Sequence, residues 1–247
     1  MRAQRLFIVT LGLLAASACT GGSAQPAPAP RPDISGTWVH PAGPGGASLR
    51  PPEGYPLTQW AAEKMKSEKP TASADFRETT DPAVLYADPN GYPRIQMHPM
   101  KFKFVQTDDY VYHLWEYNQN WRQIAINKEH SPDAPPTWYG NAVGKWDGDT
   151  LVVDSTGYKP STWITSQGVP HSEDLHIVER IRRDGNTLVW HFTFEDPVAF
   201  AKPWSPPELR YERVEDGAMI ETIYTISDEL RFRERFLGVP SPIPIRR

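Results

Sequence analysis

The residues best suited to chemistry in this chain lie at the two ends of one polar loop. Asp154 stands near the end of a β-rich run, and His171 and Glu173 lead into the next one. If both ends lie at one rim of a sheet, the three side chains converge. A carboxylate bonded to one imidazole nitrogen raises the basicity of the other. This predicts proton transfer with His171 as general base or acid, oriented by Asp154 or Glu173. Alternatively, His171 only ties down the loop.

Arginine and aromatic side chains suited to holding a substrate lie on both sides of that loop. Arg94 follows a turn, and its planar guanidinium suits a carboxylate or phosphate, unless it only pairs with Asp88 in its own loop. Two prolines and two aromatics follow His130, and they form either a wall against a ligand or a seal over the core. The substrate-binding residues predicted here are Arg94, His130, Trp138, Tyr139 and Trp163.

Two β-rich runs near the middle of the chain suggest an ion pair. Alternation along the first run places Tyr112 and Glu116 on one face, and both are predicted to bind substrate. Glu116 and Arg122 flank a polar turn, so they are predicted to pair if their faces coincide. Inside a barrel the pair would hold a polar substrate group, whereas on the surface it would contribute about 0 to 1 kcal/mol. Arg180, next to Glu179, has the same two interpretations.

Motifs for metals and nucleotide cofactors are absent from the sequence. The seven histidines show no His-x-His and no His-Glu-x-x-His pattern, and no acidic calcium loop has the correct spacing. There is no glycine-rich nucleotide loop and no Gly-x-Ser-x-Gly elbow. The sequence therefore predicts neither a metal nor a cofactor.

The elements that must position these residues are predicted to be short strands. One helix is expected after the N-cap residue Thr58. About nine strands in one chain form two layers or close, and closure removes exposed edges. The sequence therefore predicts a mainly β fold, an antiparallel meander closing into a barrel with one short N-terminal helix. A tight turn at Asp-Gly needs positive φ, which predicts three hairpins, namely at Asp147-Gly148, Asp184-Gly185 and Asp216-Gly217, the last leading into a strand at 220–226.

The N-terminus has the pattern of an export signal. Residues 1–18 combine a basic start, a short apolar run and a small-residue cleavage region. Cys19 follows directly, as in a bacterial lipoprotein, although ordinary cleavage would leave it incidental. Residues 19–32 are expected to form a Pro/Ala-rich tether and 33–247 a single β-barrel domain. The expected location is the periplasm or the outer membrane of a Gram-negative bacterium, with membrane contact only through a lipid on Cys19.

Composition excludes several classes of protein. The 247 residues include a single cysteine, which rules out a disulfide framework, and a net charge of −4 offers no basic face to nucleic acid. Aromatic residues make up 11% of the chain, which argues against general disorder. The expected partner is a small molecule. The sequence sets no oligomeric state.

Two resemblances accompany these patterns. Gly36-Thr37-Trp38 resembles the Gly-x-Trp opening of lipocalin-like (calycin) barrels, which hold small apolar or amphipathic ligands. Over about residues 88–204, the chain resembles a family of exported, functionally uncharacterised bacterial proteins, through Pro136-Thr137-Trp138-Tyr139-Gly140, the run from Gly144 to Asp154, Pro170-His171-Ser172-Glu173 and Glu179-Arg180. The resemblances imply export and a lipocalin-like barrel, and they imply no particular activity.

Three functions fit these observations. The first is a cofactor-independent acid–base enzyme (lyase, isomerase, cyclase or hydrolase) acting on an aromatic or amphipathic molecule. The second is a non-catalytic carrier or sensor of a hydrophobic ligand. The enzyme is favoured because a carrier of apolar ligands needs few buried charges, each costly unless paired. The third, a structural envelope protein, requires a filled interior.

Overall fold

Nine β-strands close into one barrel in the computed structural model, which describes residues 32–41, 48–71, 77–215, 217–238 and 240. Strands adjacent in sequence are adjacent in the barrel, and the last strand pairs with the first. The predicted mainly β barrel is thereby confirmed. The strands are β1 Gly36–Val39, β2 Phe102–Gln106, β3 Tyr110–Trp115, β4 Trp121–Ile126, β5 Asn141–Asp147, β6 Thr150–Thr156, β7 His176–Asp184, β8 Thr187–Glu195 and β9 Leu209–Val214.

Two of the three predicted Asp-Gly hairpins form. Gly148 (φ 62°) joins β5 to β6 and Gly185 (φ 60°) joins β7 to β8, and glycine adopts this left-handed backbone without strain. The third prediction is wrong, because residues 220–225 form only a single bridge at Thr222. Strand β9 already pairs with β8 on one edge and β1 on the other, so it has no edge left for another strand.

One neighbouring pair in the barrel is parallel. Strand directions cannot alternate all the way around a ring of nine, so at least one pair must run the same way. That pair is β4 and β5, joined through Ile124 opposite Ala142 and Ile126 opposite Gly144. A parallel connection must return along the length of the strands. Residues 127–140, called here the crossover segment, make that return.

Short helices connect or follow the strands of the barrel. The predicted N-terminal helix is confirmed as α1 Gln59–Ser67, where the Thr58 hydroxyl accepts a hydrogen bond from the Ala61 amide at 3.3 Å. The structure adds α2 Pro82–Leu85, α3 Ile226–Phe232, a 3-10 turn at Arg94–Met97 and a π-helical turn at Arg233–Leu237. No helix in the described ranges is long and apolar enough to span a bilayer.

Side chains of two kinds fill the two halves of the barrel. The lower half, near the turns at Gly148 and Gly185, holds apolar side chains such as Leu151, Ile181 and Leu188, all fully buried. At the upper end, the segment 90–96 packs against the strand ends, with its Tyr92 and Gln96 buried. The upper half is therefore the part of the barrel where polar groups meet.

The predicted N-terminal features lie outside the described residues. Residues 1–31, which contain the signal peptide, Cys19 and most of the tether, are not among the described ranges. Export and the lipid anchor therefore stay predictions.

Candidate functional site

Arg122 and Glu179 form an ion pair inside the barrel, called here the lumen pair. Arg122 faces inward from β4 and Glu179 from β7, which are three steps apart along the wall. Arg122 Nη2 lies 2.8 Å from Glu179 Oε2, and the two side chains are only 2% and 0% exposed. The pair is thus a buried link between two sides of the barrel.

The hydrogen bonds to Glu179 leave one of its carboxylate oxygens free. Oε2 accepts hydrogen bonds from Arg122 Nη2 at 2.8 Å, the Tyr92 hydroxyl at 2.5 Å and Trp190 Nε1 at 3.1 Å. The Arg122 guanidinium also lies 3.8 Å from the centre of the Tyr92 ring. Within the described residues, Glu179 Oε1 and the Nε and Nη1 atoms of Arg122 have no hydrogen-bond partner. The lumen pair is therefore only half satisfied.

Further polar atoms without partners adjoin the lumen pair. His113 lies opposite Arg122 in the β3–β4 register, and the centre of its ring lies 3.8 Å from that of Trp115 in a tilted contact. Trp115 donates a hydrogen bond to Gln96 Oε1 at 2.9 Å and stacks on the Tyr139 ring at 5.6 Å. Both ring nitrogens of His113, Gln96 Nε2 and the Tyr139 hydroxyl lack a partner in the described part of the chain. These residues and the lumen pair are called here the polar compartment.

A second buried ion pair, Arg94 with Asp81, differs from the lumen pair in how completely it is hydrogen-bonded. Arg94 Nη1 and Nη2 donate to Asp81 Oδ1 and Oδ2 at 2.8 and 2.6 Å, in a two-point contact. Asp81 Oδ1 also accepts from the Ala83 amide and so caps α2. Such two-point geometry satisfies both partners. This second pair is therefore joined at both carboxylate oxygens, in contrast to the lumen pair.

Burial fixes the protonation states in the polar compartment. Burial alone would lower the pKa of Arg122, but the Glu179 carboxylate and neighbouring groups raise it above its ordinary value. Burial raises the pKa of Tyr92 well above its ordinary value and lowers that of His113 well below. At neutral pH, Arg122 is therefore a cation, Tyr92 a neutral phenol and His113 a neutral imidazole.

A cleft in the side of the barrel lies next to the polar compartment. Strand β5 pairs only with the last three residues of β4, so the wall is open beside Trp121 and Arg122. A cavity of about 470 Å³ lies there, between the first half of β4 and the crossover segment. Arg122 and Tyr139 line this side cleft and also belong to the polar compartment. The cleft therefore adjoins the polar compartment, while the Nε and Nη1 atoms of Arg122 and the Tyr139 hydroxyl are buried.

One contact of the crossover segment with the outside of the barrel belongs to a cluster of four titratable side chains. His130 Nε2 lies 2.9 Å from Asp154 Oδ1, and His176 Nε2 lies 3.0 Å from Asp154 Oδ2. His176 Nδ1 lies 3.2 Å from Glu195 Oε2. These residues are called here the outer-wall cluster. Because both nitrogens of His176 face carboxylates, both are satisfied only when the ring is protonated.

The attachment of the crossover segment is expected to depend on pH. Burial opposes protonation of His176, but its hydrogen bonds to the Asp154 and Glu195 carboxylates outweigh it and raise the His176 pKa above 6.5. A raised histidine pKa stabilises below the unfolded value, and this stabilisation is lost as pH rises through the folded value. Burial would raise the pKa of Asp154, yet the two histidines lower it below 3.8, so its contribution is lost only in strong acid.

Hydrogen exchange of the crossover segment measures this dependence. After correction for intrinsic rates, exchange of the Asn127 and Thr137 amides, which bond Gly144 and Gly157 oxygens, should rise a few-fold above neutral pH. His176→Gln should abolish the rise, and amides of the β7–β8 hairpin serve as the internal control. A rise of equal size in His176→Gln would contradict the role of this residue.

The three predicted catalytic residues are not brought together. Asp154 bonds His130 and His176 on the outer wall, and Glu173 is exposed. His171 is buried in its loop, where Nε2 contacts the Thr162 hydroxyl and Nδ1 the Ser172 carbonyl oxygen, both at 2.8 Å. Both ring nitrogens are thus occupied within the described residues. The catalytic role of this group stays a prediction, without support from its placement.

The predicted substrate-binding residues are divided between two environments. Arg122 and Tyr139 belong to the polar compartment, and His130 lines the side cleft. The predicted pairing of Glu116 with Arg122 is wrong, because Glu116 lies beyond the end of β3 and pairs with Lys101 at 3.6 Å. The other five lie elsewhere. Arg94 forms an ion pair with Asp81 rather than Asp88, and Arg180 forms one with exposed Asp147. The Trp163 and Trp138 rings make cation–π contacts with Arg94 and Lys159, and Tyr112 lies on the outer face of β3 beside Trp121.

Sequence reasoning missed several members of the polar compartment, including Tyr92, Gln96, His113 and Glu179. The alternation of β7 contained a signal for Glu179. Ile177, Glu179 and Ile181 share one face, so a single charge interrupts an otherwise apolar row. A lone charge on the inner face of a strand indicates a buried partner across the lumen.

Comparison with protein-family models, with curated proteins and with solved structures gave no match. Among the described residues, no three His, Cys, Asp or Glu side chains are arranged to hold a metal ion. The closed barrel agrees in architecture with the lipocalin-like resemblance. Such a barrel is able to bind a small molecule, and the side cleft lies next to its polar compartment.

Proposed function

We propose that this protein binds a small aromatic or amphipathic molecule in the side cleft, next to Arg122 at the edge of the polar compartment. The observation behind the proposal is the half-satisfied lumen pair. A buried donor or acceptor without a partner costs about 1 to 3 kcal/mol, and more when it is charged. Arg94 and Asp81 demonstrate that the chain can satisfy such a pair completely. Free atoms on the lumen pair therefore favour a polar partner from outside the chain, either water or a bound molecule.

The dimensions of the side cleft support the same proposal. Small-molecule sites have volumes of about 300 to 1,000 Å³, with mostly apolar walls and a few placed polar groups. The side cleft, at about 470 Å³, is lined by Trp121, Tyr139 and Val143 together with Arg122. This combination suits a ligand with one apolar body and one polar end.

Filling the cleft tests the proposal. The probe is para-hydroxyacetophenone, a small aromatic ketone, and its binding is measured by isothermal titration calorimetry. Ala125→Trp places a large side chain in the cleft from the outer face of β4. We expect it to weaken binding by about tenfold or more, which is 1.4 kcal/mol or more.

Val105→Trp is the matched control. Val105 is an exposed outward residue on β2, away from the cleft, so the same enlargement should leave affinity unchanged. Equal affinities for wild type and both variants would place the probe elsewhere and contradict the proposal.

A second candidate is a cofactor-independent acid–base enzyme of the lyase, isomerase, cyclase or hydrolase type. It is favoured by Glu179 Oε1, which lies free next to a guanidinium with free N–H groups. Such a carboxylate can take a proton from a carbon beside a carbonyl, while Arg122 stabilises the enolate oxygen. In the same titrations run in D₂O, deuterium incorporated into the probe's methyl group would identify a catalyst. Binding without incorporation would identify a carrier or sensor.

A further inference from the structure

The lining of the side cleft contains one exposed charge without a partner. Glu129 lies on the crossover segment, lines the cleft and is exposed. Within the described residues it forms no ion pair. The other lining side chains that carry or can gain a positive charge are occupied, because Arg122 belongs to the buried lumen pair and His130 contacts Asp154 at 2.9 Å. Lys128, the neighbour of Glu129, does not line the cleft. A ligand in the cleft would therefore meet a negative charge.

An exposed tryptophan lines the cleft from the strand side. Trp121 is the first residue of β4, and its side chain faces outward and is 56% exposed. The Tyr112 ring lies beside it, with the two ring centres 6.4 Å apart. The face of an aromatic ring carries partial negative charge and attracts a cation. The aromatic wall therefore favours the same ligand charge as Glu129 does.

Other tryptophans of this protein already have a cation over the ring. Lys64 Nζ lies 5.0 Å from the ring centre of Trp60, and Lys159 Nζ lies 4.6 Å from that of Trp138. In the part of the chain that the structure describes, no lysine or arginine lies over the Trp121 ring. Trp121 therefore presents a cation-binding surface that the protein itself leaves unused.

Small apolar side chains form another part of the lining. Ala125 lies on the outer face of β4, Val143 lies on β5, and Ala134 lies on the crossover segment. Removing apolar carbon from water against these side chains favours binding. The ligand should therefore have an apolar body attached to its charged group.

We infer that the natural ligand of the side cleft is an amphipathic organic cation, in which an amine or quaternary ammonium group is attached to an aromatic or aliphatic body. The cation contacts the Glu129 carboxylate and the Trp121 ring, and the body packs against Ala125 and Val143. The inference rests on the proposed function, because it names the ligand class of the same cleft. Carboxylates of the same size do not belong to this class, since their charge would face Glu129.

Three probes with one phenyl ring on a four-carbon chain test the sign of the ligand's charge. At neutral pH phenylbutylamine is a cation, phenylbutanol is uncharged and phenylbutanoate is an anion. Their dissociation constants are measured by isothermal titration calorimetry in about 0.1 M salt, which screens charges more than about 10 Å away. We expect the amine to bind about fivefold more tightly than the alcohol, and about tenfold or more tightly than the carboxylate.

Glu129→Gln removes the charge and keeps the shape of the side chain. The preference for the amine over the alcohol should fall to about twofold or less, while the affinity for the alcohol stays that of the wild type. Asp133→Asn is the matched control, because Asp133 is an exposed acid on the crossover segment that does not line the cleft. A preference that survives in Glu129→Gln, or that Asp133→Asn lowers equally, would overturn the assignment of Glu129.

Trp121→Leu keeps an apolar side chain and removes the aromatic face. The affinity for the amine should fall about threefold, and by more than the affinity for the alcohol. Trp60→Leu is the control, since Trp60 is 41% exposed and does not line the cleft, so it should change neither affinity. Equal losses for the amine and the alcohol in Trp121→Leu would overturn the contact between this ring and the cation.

The outcomes separate the ligand class from the proposed function. If the carboxylate binds as tightly as the amine and Ala125→Trp weakens both, the cation class is overturned and the proposed function stands. If none of the three probes binds, or if Ala125→Trp weakens none of them, the proposed function is overturned together with the cation class.

Discussion

Replacing Glu179 with Leu is expected to lower the free energy of unfolding by about 3 to 5 kcal/mol, the cost of leaving one partner of a buried ion pair unpaired. Arg122 would stay 2% exposed with no carboxylate beside it. Tyr92 and Trp190 would also lose the oxygen to which they donate. Urea denaturation followed by tryptophan fluorescence measures the change, because several tryptophans are buried in the barrel.

Two further variants show whether the loss comes from the unpaired charge. Arg122→Met combined with Glu179→Leu should recover most of the stability, since apolar residues often replace a buried pair without loss. Arg180→Met removes an arginine from an ion pair whose side chains are 50% and 66% exposed, and it should cost about 1 kcal/mol or less. A double variant as unstable as Glu179→Leu would show that the unpaired charge is not the cause.

Gly140→Ala is expected to lower stability by about 3 kcal/mol, through backbone strain and overlap with a buried ring. Gly140 has φ +74°, where an alanine side chain is disfavoured, and its Cβ would lie 2.5 Å from two ring atoms of Tyr158. The Tyr158 ring is fully enclosed in the protein core and cannot turn away. The change also affects the cleft, because Gly140 lines it beside Tyr139.

A matched glycine separates strain from overlap. Gly148 has a similar φ of +62°, but an added Cβ there meets nothing within 4 Å. Gly148→Ala should therefore cost only the strain, about 1 to 2 kcal/mol in urea denaturation. Adding Tyr158→Leu to Gly140→Ala should restore part of the difference. Equal losses of unfolding free energy in Gly140→Ala and Gly148→Ala would show that the Tyr158 ring moves aside without destabilising the protein.

Local signals in the sequence were sufficient for much of the fold. The hairpins at Gly148 and Gly185 follow from the need for positive φ between two alternating runs, which is a property of a few adjacent residues. The N-cap at Thr58 is equally local. The prediction of a strand at 220–226 was wrong because β1, which is distant in sequence, pairs with the edge of β9 that this strand would have needed.

The candidate site depends on distant residues, and this explains why much of it was missed. Arg122 and Glu179 are 57 positions apart, and they meet only because the barrel closes in one register. Proximity in sequence suggested Glu116 as the partner of Arg122, yet alternation ends where β3 ends at Trp115. Tyr92 belongs to no strand, so no periodicity indicated that its hydroxyl would reach Glu179.

The odd number of strands has a consequence for how this architecture can change. A ring of nine always contains one mismatch of direction, and substitutions can relocate that mismatch but never erase it. Were it located where the last strand meets the first, no polypeptide would have to travel back along the outer surface. Because the parallel pair consists of the consecutive strands β4 and β5, their connection at residues 127–140 must run back along the barrel, over the place where the two strands are only partly paired. Losing or gaining a single strand would allow an unbroken wall, whereas duplicating a hairpin would preserve the opening.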